Sequence, residues 1–213
     1  MQGALLLWRE MLKPAICFID DSDFEHELVR EEIAPVASSL DFIQAYTFEE
    51  AETLLAKRVP ALFLLDLWGN DITVTEPRIT TRKELNEKIQ GFNTLEYVFE
   101  DLDDFKGDVI NEYLKRFFSI IDGWRSLFEE VCDRVGQNRK YGLFNLRQVR
   151  KYYPGVPAVF YTRKSLISDA VAMFKAGADG LFIKPTGSND QDTHCLTRES
   201  APKLVKELLS IQC

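Results

Sequence analysis

Residues 61–65 read ALFLL, an uninterrupted apolar run that ends at Asp66. Residues 15–19 (AICFI) repeat the pattern and end at Asp20 and Asp21. Short apolar runs without polar alternation are typical of strands that are buried on both faces of a parallel sheet. Both runs are therefore predicted to be central strands with acidic residues at their carboxyl ends.

Three further runs complete the predicted sheet. Residues 157–161 (PAVFY) end at Thr162, residues 180–183 (GLFI) end at Lys184, and a weaker run spans 41–46 (DFIQAY). Helix-period patterns separate the runs at 23–34, 48–57, 143–152 and 165–176, and APKLVKELLSIQ is the predicted last helix. Because strands alternate with helices, we expect right-handed βαβ units and a doubly wound α/β fold.

Residues 72–140 interrupt this alternation, since they contain helix-period apolar spacing and no strand pattern. Thr81 and Glu84 predict a capping box, and Gly107 predicts a break between helices. The longest apolar stripe is Ile110, Tyr113, Leu114, Phe117, Ile121, Trp124, Phe128, Val131 and Val135. We therefore expect residues 1–71 and 141–213 to form one discontinuous domain, with 72–140 as an inserted helical hairpin or small bundle. Its aromatic side chains are interpreted as core: Phe117, Phe118, Trp124 and Phe128.

Composition narrows the function classes. The chain has 213 residues, 46% of them hydrophobic, and a formal net charge of −8. It has no 18-residue apolar run and no dense basic run, so neither a membrane span nor a nucleic-acid surface is expected. Residues 1–13 are interpreted as an amphipathic helix and not as a signal peptide. The four cysteines form no CxxC pair, and Cys17 lies in a strand pattern, so a reduced core thiol and a cytoplasmic protein are expected.

The polar residues that follow the strands predict a common site. In an open parallel sheet, ligands bind at the carboxyl edge of the strands. Asp20, Asp21 and Asp66 would repel one another there unless a cation lay among them, and Mg²⁺ is the divalent ion that prefers such oxygen ligands. Lys184 and the Thr162 hydroxyl would then face the oxygens of a phosphoryl group.

Four motifs in this order carry a resemblance to a known family: FIDD, LLDLW, FYT and IKP. Together they resemble the receiver domain of two-component response regulators, over residues 14–71 and 141–210. The resemblance implies a five-stranded parallel sheet in the order 2-1-3-4-5. It also implies a phosphoacceptor signalling protein, with a histidine kinase or phosphotransfer protein as its partner, and not an enzyme.

The resemblance also assigns roles around a bound Mg²⁺. Asp66 would be the phosphoacceptor and a metal ligand. Asp21 would bind the metal directly, Asp20 would act through bound water, and the backbone carbonyl of Trp68 would complete the protein ligands.

The remaining roles concern the phosphoryl group. Lys184 would neutralise its oxygens and pair with Asp66 when no phosphoryl group is present, and Thr162 would donate a hydrogen bond to it. The Lys184–Pro185 bond is expected to be cis, as it usually is in this family. Two positions depart from the pattern: Leu181 replaces a common aromatic residue, and Arg163 replaces a common small one, which could screen the site.

Simpler interpretations and other functions stay open. Each strand-end Asp could be only a turn or cap residue, and His26 and His194 are interpreted as a solvent-facing and a loop residue. The insertion contains no histidine, which excludes a histidine phosphotransfer bundle. One alternative is a Mg²⁺-dependent phosphohydrolase of the haloacid dehalogenase type, although DDSDF lacks its expected motif. The other is a pseudo-receiver that only binds partners.

Overall fold

The computed structural model describes residues 13–71, 73–163 and 167–211. In this part of the chain the strands are β1 (Ala15–Ile19), β2 (Asp41–Ala45), β3 (Leu62–Leu65), β4 (Gly69–Asn70), β5 (Gln137–Asn138), β6 (Ala158–Thr162) and β7 (Gly180–Ile183). The five longer strands form one parallel sheet in the order β2-β1-β3-β6-β7. Counted along the chain, this is the order 2-1-3-4-5, so the predicted fold class is confirmed. The expected helix in the first residues lies outside the described residues.

The helices that accompany the sheet are α1 (Asp23–Leu28), α2 (Phe48–Leu55), α6 (Lys140–Tyr152), α7 (Ile167–Lys175) and α8 (Asp190–Ile211), with α3 (Arg82–Ile89), α4 (Leu95–Phe99) and α5 (Val109–Arg134) in the stretch after β4. The helix predicted over 23–34 is composite. A π-helical segment, Val29–Ile33, and a 3-10 turn, Ala34–Val36, follow α1. Pro35 lies in that turn, where its missing N–H ends regular helical bonding.

The last helix is much longer than the segment APKLVKELLSIQ predicts, because it begins at Asp190. The stretch before that segment was expected to be a loop, and this expectation was wrong. The side chain of Asn189 accepts the N–H of Asp192, which caps the helix. The buried face runs along Thr193, Thr197, Ala201, Leu204, Val205 and Leu208. Threonines extend the apolar stripe by two turns, and Pro202 is tolerated inside the helix.

A hydrophobic core lies between the sheet and the helices on one face. It joins side chains from β1, β3 and β6 to side chains from the π-helical segment and α8. The strand residues Phe18, Leu64 and Val159 are fully buried in it. Cys17 is also buried, which raises the pKa of its thiol to about 12 and favours the protonated thiol that the sequence predicts.

The chain divides into two compact units: one ends at Asn70 and resumes at Arg139, and the other is Asp71–Asn138. The first unit contains the parallel sheet. The second contains α3, α4 and α5, and the predicted Thr81–Glu84 capping box begins α3. None of the helices in the described ranges is long and apolar enough to cross a membrane.

The second unit is held together by contacts between α5 and the shorter helices. Lys88 on α3 pairs with Glu130 at 2.6 Å, and the ring of Phe92 packs edge-on against Trp124 at 5.6 Å. One side of α5 is nevertheless open to solvent. Phe117, Phe118, Trp124 and Phe128 are all exposed, so their interpretation as core was wrong. The reason is that α3 and α4 are short and, in the case of α3, mostly polar, and so cover only one flank of α5.

Candidate functional site

The parallel register places the predicted polar residues at one edge of the sheet. The N–H of Asp20 donates to Ala45 at the end of β2, and the N–H of Asp66 donates to Ile19 at the end of β1. The side chains of Asp20, Asp66, Thr162 and Lys184 are all buried there. Thr162 is the last residue of β6 and not the residue after it, a one-residue shift from the sequence prediction.

Lys184 is the centre of the cluster. Its ammonium nitrogen lies 2.8 Å from Asp66 Oδ1 and 2.5 Å from Asp20 Oδ2, and its side chain is 3% exposed. Burial alone would favour loss of the proton. The carboxylates of Asp66, Asp20 and Glu25 outweigh that effect and raise the pKa of Lys184, so the ammonium form persists. The pairing of Lys184 with Asp66 that the resemblance implies is present.

The two carboxylates are under electrostatic strain. Burial raises the pKa of Asp20 to about 7 against the opposing effect of Lys184, and the nearby Asp66 charge adds to the rise. Burial likewise raises the pKa of Asp66, again opposed by Lys184. A single ammonium therefore does not fully compensate two buried carboxylates.

Asp21 and Trp68 lie on the more open side of the same edge. Asp21 is partly buried, and its Oδ2 accepts the N–H of Asn70 at 2.8 Å. Trp68 is buried, and the preceding carbonyl, that of Leu67, accepts the N–H of Gly142 at 3.0 Å. The loop after Asp66 is thus fixed between Asp21 and the start of α6.

Thr162 directs its hydroxyl toward the same space. The hydroxyl is buried and makes no hydrogen bond of normal geometry to the described residues. It lies near enough to Asp66 to favour the ionised carboxylate, and this offsets a small part of the rise that burial causes in the pKa of Asp66. A buried hydroxyl that lacks a full partner is available to an incoming oxygen atom.

Glu25 and Arg163 also belong to the site. The sequence analysis named Arg163 as a residue that could screen the site, but it did not predict Glu25 or the contact between the two. Glu25 lies in α1, and its Oε2 is 3.4 Å from Lys184 Nζ. Arg163 Nε donates to Glu25 Oε1 at 2.8 Å. The only sequence clue was the position of Glu25 one helical turn after Asp21, because residues of a first turn that follows a strand remain at the sheet edge.

The charges of the cluster decide what it can bind. Four carboxylates (Asp20, Asp21, Glu25 and Asp66) face two cations, Lys184 and Arg163. This leaves an excess of about two negative charges that a divalent cation would balance, and carboxylate oxygens are the ligands that Mg²⁺ prefers. The residues present therefore fit Mg²⁺ by charge and by ligand type.

The most compact group of possible metal ligands lies elsewhere. Within the described ranges, only Glu31, Glu32 and His194 place three donor atoms all within 4.8 Å of one another. Asp20, Asp21 and Asp66 share an edge but are not drawn that close. Glu32 is already bonded by Arg198 at 2.6 Å and by His194 at 2.9 Å, which accounts for this second group as an ion-pair network.

Two expectations about histidines were wrong. His26 is buried and not solvent-facing: its Nε2 lies 2.9 Å from the carbonyl oxygen of Asp20, and its Nδ1 lies 2.9 Å from Gln44 Oε1. Its neighbours in sequence are acids, but α1 turns this face toward β1 and β2. His194 lies in helix α8 and contacts Glu32, so it is not in a loop.

The Lys184–Pro185 bond was expected to be cis, and this was also wrong. The described backbone contains no cis peptide bond. Trans is the lower-energy form of an X–Pro bond by about 0.5–1 kcal/mol, so nothing unusual is needed to hold it.

Comparisons with known proteins give structural matches only. No protein-family model and no curated protein sequence matches the chain. The chain is similar to a response regulator from Thermotoga maritima, with a TM-score of 0.48 and 14% identity over 93% of this chain and 99% of that one. It is similar to a CheY-like receiver domain protein from Methanospirillum hungatei JF-1, with a TM-score of 0.43 and 14% identity over 93% and 98%. It is also similar to a response regulator receiver domain protein from Clostridium thermocellum, with a TM-score of 0.41 and 13% identity over 92% and 98%.

Proposed function

We propose that this chain is a phosphoacceptor receiver protein in which Asp66 takes the phosphoryl group. One observation carries the proposal: the buried ammonium of Lys184 bridges Asp66 and Asp20 at the carboxyl edge of a parallel sheet. A buried cation fixed beside a carboxylate neutralises the charge that develops when that carboxylate attacks a phosphorus atom.

The proposed reaction is a transfer between two acceptors. An oxygen of Asp66 attacks phosphorus, the bond from phosphorus to the donor nitrogen or oxygen breaks, and the donor leaves with the bonding electrons. The product is an acyl phosphate on Asp66. Lys184 then pairs with a phosphoryl oxygen, and the Thr162 hydroxyl donates to another.

Asp20, Asp21, Asp66 and the carbonyl of Trp68 are the proposed protein ligands of Mg²⁺. When bound, the ion supplies further neutralisation of the phosphoryl oxygens. The proposed donor is a cytoplasmic histidine kinase or phosphotransfer protein, and signalling would proceed through protein contacts and not through an enzymatic activity.

Labelling with acetyl phosphate tests the acceptor. We expect wild-type protein with Mg²⁺ to gain one phosphoryl group by intact mass, and Asp66→Asn to gain none. Asp41→Asn is the matched control, because Asp41 begins β2 at the opposite edge of the sheet, and this variant should be labelled like wild type. Equal labelling of Asp66→Asn and wild type would rule out Asp66 as the acceptor.

The same variants separate the proposal from its alternatives. A phosphohydrolase would turn over a generic phosphate ester, and Asp20→Asn would abolish turnover while Asp66→Asn would not. A pseudo-receiver would show neither labelling nor Mg²⁺ binding. Tryptophan fluorescence detects Mg²⁺ binding because Trp68 is buried beside the site, and Trp68→Phe identifies which indole responds.

A further inference from the structure

We propose that the open face of α5 is an interface between two copies of this chain, which pair through antiparallel α5 helices. This inference concerns the second unit and does not depend on phosphorylation. The face consists of Ile110, Leu114, Phe117, Phe118, Ile121, Trp124 and Phe128, all of which are exposed.

The spacing of these residues is that of a helix that packs along another helix. From Ile110 to Phe128 the exposed residues alternate in steps of four and three, and Phe118 widens the stripe. Side chains at alternating steps of four and three form a stripe along one side of a helix, and two helices that pack along each other bury stripes of this kind.

The area of the face matches a stable pair. Its four aromatic side chains are 39%, 57%, 50% and 39% exposed. Since a fully covered aromatic side chain buries 150–250 Å², these four rings leave roughly 350 Å² uncovered, and the three aliphatic side chains add a comparable amount. Monomers rarely expose contiguous apolar patches larger than a few hundred Å². Two such faces together would bury on the order of 1,200 Å², the lower range for specific interfaces.

The charges beside the face favour an antiparallel pair. Lys115 lies near the first half of the stripe and is 79% exposed, whereas Asp122 and Glu129 lie further along the same flank. In an antiparallel pair centred on Asp122, Lys115 of one copy comes level with Glu129 of the other, and two-fold symmetry repeats the pair. A parallel pair would bring like charges level with each other.

Light scattering after size exclusion, over a range of protein concentrations, tests the pairing. We expect wild-type protein to behave as a dimer that dissociates on dilution. Phe118→Glu with Ile121→Glu should weaken the pair by roughly thirtyfold or more, as expected for apolar residues central to an interface. Leu54→Glu is the matched control, because Leu54 is a similarly exposed apolar residue on α2, and it should leave the dimer unchanged. Circular dichroism verifies that each variant is folded.

A charge exchange tests the orientation and spares the apolar residues. Lys115→Glu and Glu129→Lys should each weaken the dimer by roughly tenfold, and the double variant should restore it. A wild-type chain that is monomeric at every concentration would overturn the proposal. So would a dimer that resists both the apolar and the charge variants. A dimer that the double charge variant fails to restore would overturn the antiparallel arrangement.

Discussion

The ammonium group of Lys184 explains why three acids can be buried at one end of a sheet. It contacts Asp20, Glu25 and Asp66, each within 3.4 Å. Removing one carboxylate from such a cluster need not weaken the fold, because the remaining acids still pair with the same cation. Removing the Lys184 ammonium would leave several buried carboxylates without a compensating charge, which would reduce the stability of the fold far more.

The raised pKa of Asp20 predicts how stability depends on pH in metal-free buffer. A folded-state pKa of about 7, above the ordinary 3.8, means that the folded protein retains a proton that the unfolded chain has lost. The proton on Asp20 therefore stabilises the folded state at low pH, and this stabilisation is lost as pH rises through about 7. Asp20→Asn should therefore gain stability over wild type as pH rises from about 5 to about 8, by on the order of 2 kcal/mol.

Urea unfolding in the presence of a chelator measures this difference. Asp41→Asn is the control, because Asp41 is a half-buried residue that pairs with Arg58 at the other edge of the sheet, and this variant should show no such trend. A stability difference between Asp20→Asn and wild type that stays constant across the range would contradict the prediction.

The sequence predicted those site residues that lie at the carboxyl ends of strands. The runs 15–19, 61–65, 157–161 and 180–183 each ended at the polar residue that the sheet brings to its edge, since the position of a strand end follows directly from an apolar run. Glu25, His26 and Arg163 were different. Their directions depend on how α1 rotates against the sheet, and a row of acids around a histidine looks the same in sequence whether it faces solvent or the core.

Among the elements, α6 can pack against the end of β3 because its residue 142 is a glycine, which has no side chain. A Cβ atom on Gly142 would lie 2.4 Å from the carbonyl oxygen of Asp66 and 2.6 Å from the Cα of Leu67. Both obstacles are backbone atoms, so a change of rotamer cannot relieve them. Close approach of this helix is therefore a condition for the geometry around Asp66.

We expect Gly142→Ala to destabilise the protein by about 3 kcal/mol, because the helix must move away from the strand. Gly155→Ala is the control: a Cβ there meets nothing within 4 Å, so the change should remain within about 0.5 kcal/mol. Denaturant unfolding measures both. If the two variants are equally stable, α6 is less constrained than the structure indicates.

Apolar patterns in the sequence predicted the boundaries of the strands better than those of the helices. The five strands of the parallel sheet were predicted to within one residue, because buried parallel strands have no alternation to misinterpret. The two-residue strands β4 and β5 were missed, and the expectation of no strand in residues 72–140 was wrong at β5, because two residues are too few to form a pattern. Helix α8 was predicted a full three turns too short, since Thr193 and Thr197 read as polar although both are buried. The π-helical segment after α1 left no trace in the spacing of apolar residues.

At the scale of the whole molecule, the insertion begins and ends at one place. The N–H of Asp71 donates to the carbonyl of Gly136 at 2.6 Å, and the side chain of Asn138 donates to Asp71 Oδ2 at 2.7 Å. An inserted segment whose two ends lie close together does not disturb the fold of the chain on either side of it. We therefore propose that residues 72–140 are an independent insertion into a discontinuous domain.

Excision tests this organisation. Replacing residues 72–138 with a short Gly-Ser linker should leave a folded α/β protein that acetyl phosphate still labels on Asp66. A cooperative unfolding transition and the mass gain are the measurements, and Asp66→Asn in the shortened chain is the control. Loss of the transition would show that the sheet needs the helices.

The short distance between the two ends of the inserted segment allows that segment to evolve separately from the sheet. Lengthening, shortening or exchanging the segment between Asp71 and Asn138 alters no strand register, because the flanking chain departs and returns at nearly the same point. Selection can therefore act on the inserted helices and on the acidic cluster around Lys184 as separate traits. One α/β scaffold could therefore carry different inserted segments between Asp71 and Asn138 without any change to the residues around Lys184.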